Sequence, residues 1–371
     1  MAVAVRDYLP SQATPHVRRP IARPLDGAAS ILEDLTMNTR IALAITLVGL
    51  LPAAARAEQI TGAGSTLAQP VYQKWADASS ATTGVTLNYQ GVGSGAGQKL
   101  VIQRTVDFGA SDAPMSHLKL VQANLLQFPT VIGAVDMAVN IPGITSDQLK
   151  LTGPVIADIY MGKITNWNAP EIAKLNPGLK LPDLAIAPVY RADGSGTTYV
   201  FSGYLAKVSP DFKSKVGVDK QLSWPAGQGA KGTAGVAGAV KNTAGGIGYV
   251  ESAYATLNHL TVAELKNHDG KFLKPTPATF KAAAANADWA GANDFAVDMN
   301  DQPGANSWPI VSTTFVLLPT NPADKAKSAA VLKFFDWAMK SGDGPAMDLQ
   351  YIPLPASVKA QVKKSWSAVS G

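Results

Sequence analysis

Three times along this chain a short run of β-type residues breaks into glycine and hydroxyl side chains and then resumes with helical spacing. The densest break is Arg191-Ala192-Asp193-Gly194-Ser195-Gly196-Thr197-Thr198. Residues 186–190 before it read as a strand. Val200, Phe201, Tyr204 and Leu205 after it recur at helical spacing, so residues 194–197 stand at a helix N-terminus. Two earlier segments repeat the design: Gly62-Ala63-Gly64-Ser65-Thr66 after Ile60, and Gly91-Val92-Gly93-Ser94-Gly95 after residues 85–89. A helix start offers unpaired N–H groups and a partial positive charge, so three such loops predict one shared anion cradle.

Known phosphate-loop motifs do not fit. The glycine spacing is wrong for a dinucleotide fingerprint, and Gly97-Gln98-Lys99 lacks the Gly-Lys-Ser/Thr ending of a nucleotide loop. The 371-residue chain has no cysteine, which excludes disulfides, thiolate metal sites and a thiol nucleophile. Its length favours two domains.

At the N-terminus, residues 1–36 are rich in Arg and Pro without periodicity and are expected to be a disordered upstream extension. Residues 37–57 follow the secretory pattern: Arg40 as the basic region, an apolar core over 41–51, and Ala55-Arg56-Ala57 as a small-residue cut site before Glu58. Cleavage after Ala57 and a free periplasmic protein are expected, because no cysteine follows the cut for a lipid anchor. Residues 1–57 hold six Lys/Arg and four Asp/Glu of the chain's 32 and 27, which leaves 26 against 23, a net +3. That near-neutral balance, without a clustered basic face, argues against nucleic-acid binding.

In the mature chain, Pro70 sits early in a helix with Leu67, Val71, Trp75 and Ala78 on one face, which places the Thr66 hydroxyl and the Leu67 N–H at its start. Ser65 or Thr66 could equally serve as a plain helix cap. Ser94 is the equivalent donor at the second loop. Asp112 leaves the carboxyl end of a strand over 106–110, where α/β sheets bind ligands. Inorganic phosphate keeps a proton near neutrality and can donate it to Asp112, whereas sulfate brings none and meets repulsion, so the acid would reject sulfate. Alternatively, Asp112 caps a helix starting at Pro114.

Residues 131–141 and 310–318 are long apolar runs rich in β-branched residues, expected as strands buried on both faces and as crossovers between two lobes. Between them, one helix ends at Gly162 and another runs from Pro170 through Leu175, the alternation of an α/β lobe. Asn321-Pro322 should start a helix with Val331, Phe334, Phe335 and Ala338 inward, stopping at Gly342. In the glycine-rich stretch 227–248, residues 236–240 read as a small-residue helix packed on a sheet, followed by a strand over 245–250.

The segments ITGAGSTLAQPVYQKWAD, NYQGVGSGAG, VDFGASDAPMS, FPTVIGAV, IYMGKITNW, AKLNPGLKLP, RADGSGTTYVFSGYLAKV, GGIGYVESAYA, WPIVSTTF and VLKFFDWA, in this order, resemble the periplasmic phosphate-binding proteins of ABC-type phosphate uptake systems. The resemblance spans residues 59–369. It implies an α/β, two-lobe flytrap fold of the type II binding-protein kind, each lobe a sheet flanked by helices with hinge strands between, closing over one phosphate. The implied lobes are 58–136 plus 312–371, and 137–311. It further implies phosphate contacts from Thr66, Leu67 through its N–H, Ser94, Asp112, Arg191, Ser195, Gly196 through its N–H, and Thr197, with Asp193 salt-linked to Arg191. Leu67 stands where the family often has Phe, and Tyr190 where a basic residue is common. The implied protein is a monomer without cofactor or metal that delivers phosphate to a membrane permease.

Two other functions share such a pocket. A secreted phosphatase using Ser94 or Ser195 as nucleophile needs a base, yet His117, His259 and His268 lie in no motif that pairs with either serine, and neither serine sits in a Gly-x-Ser-x-Gly elbow. A phosphate sensor or adhesin would differ only in its partner.

Overall fold

The structure, a computed structural model, describes residues 57–369. The upstream extension and the signal segment up to Arg56 lie outside the described residues. β1 (Glu58–Gly64) pairs in parallel with β2 (Val85–Gln90) and with β3 (Phe108–Ser111). β4 (Leu125–Asn140) is followed by β5 (Lys150–Leu151), β6 (Ala187–Arg191), β7 (Gln228–Ala230), β8 (Gly246–Glu251), β9 (Thr261–Val262), β10 (Glu264–Lys266), β11 (Phe272–Leu273) and β12 (Val311–Pro319). The main sheet runs β2-β1-β3-β12-β4-β8-β6-β7, with β9 also on β4, and a small second sheet runs β11-β10-β5.

β4 organises the molecule. Its first part pairs antiparallel with β12, from Leu125 opposite Pro319 to Ala134 opposite Val311, and its last part with β8, from Val135 opposite Glu251 to Asn140 opposite Gly246. One strand thus belongs to two half-sheets, and the chain folds as a two-lobe α/β protein. The near-continuous apolar run makes this possible, because both faces of β4 are covered along almost its whole length. A register shift in β12 between Thr314 and Phe315 adds local twist beside the cleft.

Helices cover both half-sheets. They begin with α1 (Gln69–Thr83), α2 (Ser94–Ile102), α3 (His117–Ala123), α4 (Gly153–Tyr160), α5 (Pro170–Ala173), α6 (Gly196–Val208), α7 (Pro210–Lys215) and α8 (Gly232–Asn242). In the first half the Tyr72 ring of α1 lies 5.5 Å from Phe335, and Phe108 of β3 lies 5.2 Å from the same ring. In the second half Phe201 of α6 stacks on Tyr249 of β8 at 4.3 Å, with Tyr160 of α4 at 5.1 Å. Burying such rings dominates core energetics, at roughly 1.5–3 kcal/mol each.

Several local expectations shift. Ala78 is exposed, and the buried face of α1 is Val71, Tyr72, Trp75, Ala76, Ser79 and Thr83, the i, i+3/i+4 stripe that Ala78 falls outside, while Leu67 packs before the helix against β4 at Gly133. Residues 113–116 form no helix. α3 begins only at His117, and so Asp112 is not a helix cap. α5 stops short of Leu175. The helix expected at Asn321-Pro322 runs over Lys325–Ser341 instead, because Asp324 is the residue that accepts the Lys327 N–H, at 3.0 Å. The glycine-rich stretch divides as expected into α8 and β8, joined through Gly245 at φ 83°.

Candidate anion-binding site

Where the two half-sheets meet, the three Gly/Ser/Thr loops come together. Gly93 donates its N–H to Gly64 C=O at 2.8 Å, and Gly95 donates to Gly194 C=O at 2.8 Å, which joins the first and second loops and then the second and third. This approach requires bare α-carbons. A β-carbon on Gly64, whose φ is 138°, would lie 1.9 Å from the Ala110 carbonyl oxygen, and one on Gly196 would lie 2.3 Å from Ser94 Oγ and 2.6 Å from Asp112 Oδ2.

Asp112 follows β3 directly and is almost wholly buried. Its Oδ1 accepts Ser65 Oγ and Thr314 Oγ1, each at 2.6 Å, and its Oδ2 accepts Ser94 Oγ at a longer 3.3 Å. Of the Asp112 atoms Oδ2 lies nearest Gly196, next to Ser94 Oγ, and so faces the meeting point of the loops. Burial pushes this carboxyl up to about 6, against the lowering effect of the Ser65 and Thr314 hydroxyls. Ser65 also accepts the Ala68 N–H at 3.1 Å in the turn before α1, but the N-cap of α1 is Ala68 with no side chain capping it, so neither Ser65 nor Thr66 is the helix cap.

Arg191 ends β6 and is 2% exposed. Asp193 holds it in a two-point pair, Nε to Oδ1 at 2.7 Å and Nη2 to Oδ2 at 2.5 Å, and Asp193 Oδ1 also accepts the Gly232 N–H that opens α8 at 2.9 Å. Burial works to raise the Asp193 carboxyl, but the Arg191 guanidinium outweighs it and holds the group below the usual carboxylate range. The Arg191 backbone N–H donates to Tyr249 Oη at 2.9 Å, and Nη1 reaches Thr66 Oγ1 at 3.0 Å and Thr233 Oγ1 at 3.2 Å. The cation is therefore fixed at three points with Nη1 turned toward the first loop.

Ser195 caps α6 by accepting the Thr198 N–H at 3.1 Å, which leaves its own proton to donate elsewhere. Gly196 and Thr197 supply the first turn of that helix, and Thr197 Oγ1 donates to Glu251 Oε1 at 2.9 Å. Leu67 is buried, with its carbonyl accepting Tyr351 Oη at 2.5 Å. Among the eight predicted contact residues and Asp193, hydrogen bonds and close contacts thus link Ser94, Asp112 and Gly196 at one place and Thr66, Arg191, Thr197 and Asp193 at another, drawing on both half-sheets, while Leu67 and Ser195 stand next to members of these clusters in the chain. A cavity of about 380 Å³ lies beside Asp112, lined also by Tyr199, Lys207 and Ser312. Of the eight only Asp112 borders it, so it neighbours the cradle rather than forming it.

The sequence did not point to Thr314, Thr233 or Glu251. Thr314 sits in an apolar run read only as core, and Thr233 opens a helix read only as packing. Glu251 ends β8, and a carboxylate there has no sequence signal that ties it to an anion site. Position at the carboxyl end of a strand was the one available hint.

A profile of the PBP superfamily domain matches residues 52–341. The phosphate-binding protein PstS of Pasteurella multocida (strain Pm70) is 46% identical over 330 residues, covering 89% of this chain and 96% of that protein. The chain belongs to the PstS phosphate-binding protein family. A second PstS member, from Xylella fastidiosa (strain Temecula1), is 44% identical over 310 residues, 84% of this chain and 85% of that one. Among solved structures, the phosphate-binding protein from Stenotrophomonas maltophilia superposes with a TM-score of 0.63 at 23% identity, over 82% of this chain and 93% of that chain, which supports the shared fold. Among the described residues no helix is long and apolar enough to cross a membrane.

Proposed function

We propose that this protein binds inorganic phosphate with high affinity in the periplasm and delivers it to the membrane permease of an ABC-type phosphate transporter. The observation that carries the reading is the buried Asp112 carboxylate, with Oδ2 turned toward Ser94 Oγ and Gly196 where the three loops meet. Only an anion that brings its own hydrogen suits such a site, and inorganic phosphate does. The names of the relatives, phosphate-binding protein PstS, support the same ligand. In this reading Thr66, the Leu67 N–H, Ser94, Asp112, Arg191, Ser195, the Gly196 N–H and Thr197 contact phosphate, while Asp193 holds Arg191. Hydroxyls and amides dominate because buried neutral dipoles stabilise an anion without leaving excess charge once it departs.

The lobes would be 58–136 plus 312–371, and 137–311, a division supported by the change of partner along β4 at Val135. The protein would act as a monomer, released by cleavage after Ala57, and perform no chemistry on its ligand. A serine nucleophile needs a base, and His117 and His268 instead pair with Asp294 and Asp301 at the surface, both at about 3 Å.

Equilibrium dialysis of the mature protein against labelled phosphate, with sulfate as competitor, tests the reading. Sulfate is expected to bind roughly 10⁴-fold more weakly at pH 8. Asp112→Asn supplies an amide donor in place of the acceptor and should narrow that gap by roughly 10²-fold. In the unaltered protein the gap should also shrink as pH falls through about 6, where Asp112 takes up a proton. Equal affinity for the two ions at pH 8 would overturn the proposal.

A further inference from the structure

Glu251 is a carboxylate placed against the donors of an anion site, and phosphate binding alone does not account for it. It is 2% exposed at the end of β8. Its Oε1 lies 3.0 Å from Thr66 Oγ1, 2.9 Å from Thr197 Oγ1 and 2.8 Å from Thr233 Oγ1, while Oε2 is buried with no hydrogen-bond partner among the described residues. Thr233 Oγ1 lies a further 2.9 Å from Thr66 Oγ1, and Arg191 Nη1 donates to both threonines. Three hydroxyls therefore converge on a single carboxylate oxygen, and the Arg191 Nη1 group contacts two of them.

Proton counting sets the consequence. Each threonine hydroxyl carries one hydrogen to donate. A hydrogen given to Glu251 is withheld from a bound anion, and Thr66 and Thr197 are two of the residues assigned to phosphate. The like charge of Glu251 opposes the anion as well. The Thr66 contact matters most, because Thr66 follows β1 in the first half-sheet while Glu251 belongs to the second, so this hydrogen bond spans the cleft.

Resting on the phosphate-binding reading, we propose that Glu251 is an internal competitor for the ligand: it takes the Thr66 and Thr197 hydrogens in exchange for the anion, and so sets a ceiling on affinity and speeds release. Glu251 is a positioning residue in this scheme, acting through the two hydroxyls. Thr233 serves as the third hydroxyl in the exchange, lying against both Thr66 and the carboxylate.

The test compares phosphate affinity and dissociation rate in the full mature protein and in Glu251→Gln, with thermal melting to confirm folding. The amide keeps the shape and removes the charge, so phosphate should bind roughly tenfold tighter, mostly through slower dissociation. A residue that merely braced the fold would give weaker binding on substitution. A double-mutant cycle with Thr197→Val adds a readout that charge alone would not move. Loss of the Thr197 hydroxyl should cost more affinity in the Glu251→Gln background than in the parent, since the neutral amide oxygen competes for that hydrogen more weakly than the carboxylate does. If Glu251→Gln does not fold, Glu251→Asp keeps the charge, withdraws the oxygen by one methylene, and should slow dissociation to a smaller extent. A folded variant with unchanged or weaker binding, or a cycle with no coupling, overturns the proposal. Failure of the parent protein to bind phosphate would instead strike the functional reading on which it rests.

Discussion

At Gly196 the available space decides what residue can stand there. Ser94 Oγ and Asp112 Oδ2 come from the first half-sheet and occupy the volume that a methyl group would need at the head of α6 in the second. Gly196→Ala should therefore fold, since alanine favours a helix, but hold the two halves apart. Overpacking of this kind costs about 1–3 kcal/mol, or roughly 5- to 150-fold in phosphate affinity. Calorimetric titration beside a melting curve checks this, and an alanine variant that bound phosphate as tightly as the parent would show that the close approach is not needed. Arg191 shows a similar economy of geometry. Its guanidinium is held by Asp193 on one edge and by two threonines on the other, an arrangement that a lysine, with one compact ammonium, cannot reproduce.

Among the elements, β4 carries the largest consequence. Just past the point where it changes partner lies Asp136, 3% exposed, whose Oδ1 accepts Ser252 Oγ at 2.5 Å. Burial pushes the Asp136 carboxyl up to about 7, against the lowering effect of the Ser252 hydroxyl. The folded protein thus holds this proton more tightly than the unfolded chain, where the group titrates near 3.9. The stability that the protonated form contributes is full below pH of about 4 and is lost as pH rises from there through about 7. Asp112, raised to about 6, has the same sign over the lower part of that window. Asp136→Asn removes the dependence at its own site. It should melt higher than the parent at pH 8, by up to about 4 kcal/mol of stability, and show little difference at pH 4. Parallel melting curves across that range would contradict the assignment.

For the whole molecule, both half-sheets share one long strand and touch through the cradle loops, with Gly95 bonded to Gly194 and Lys220 Nζ to Gln98 Oε1 at 2.8 Å. Bending about β4 and the entry to β12 would open the cleft without breaking either core, as expected of hinge closure. Small-angle scattering with and without phosphate should give a smaller radius of gyration with the ion, and Gly196→Ala should show a much reduced contraction. Identical curves for the parent under both conditions would exclude the motion.

Much of this architecture was legible in the sequence because it rests on local rules. Glycines followed by hydroxyls between a strand pattern and a helix pattern mark helix N-termini, and Arg191, Asp193, Ser195, Gly196 and Thr197 lie within seven consecutive residues. The apolar β-branched run around residue 131 likewise required a strand covered on both faces. Tertiary structure alone decided the rest. Thr314, Thr233 and Glu251 reach the cradle through pairing and packing across large separations in the chain, 202 residues between Asp112 and Thr314 and 185 between Thr66 and Glu251. Local propensity fixes where a helix begins, but which carboxylate meets which hydroxyl depends on how the sheet brings distant strand ends together.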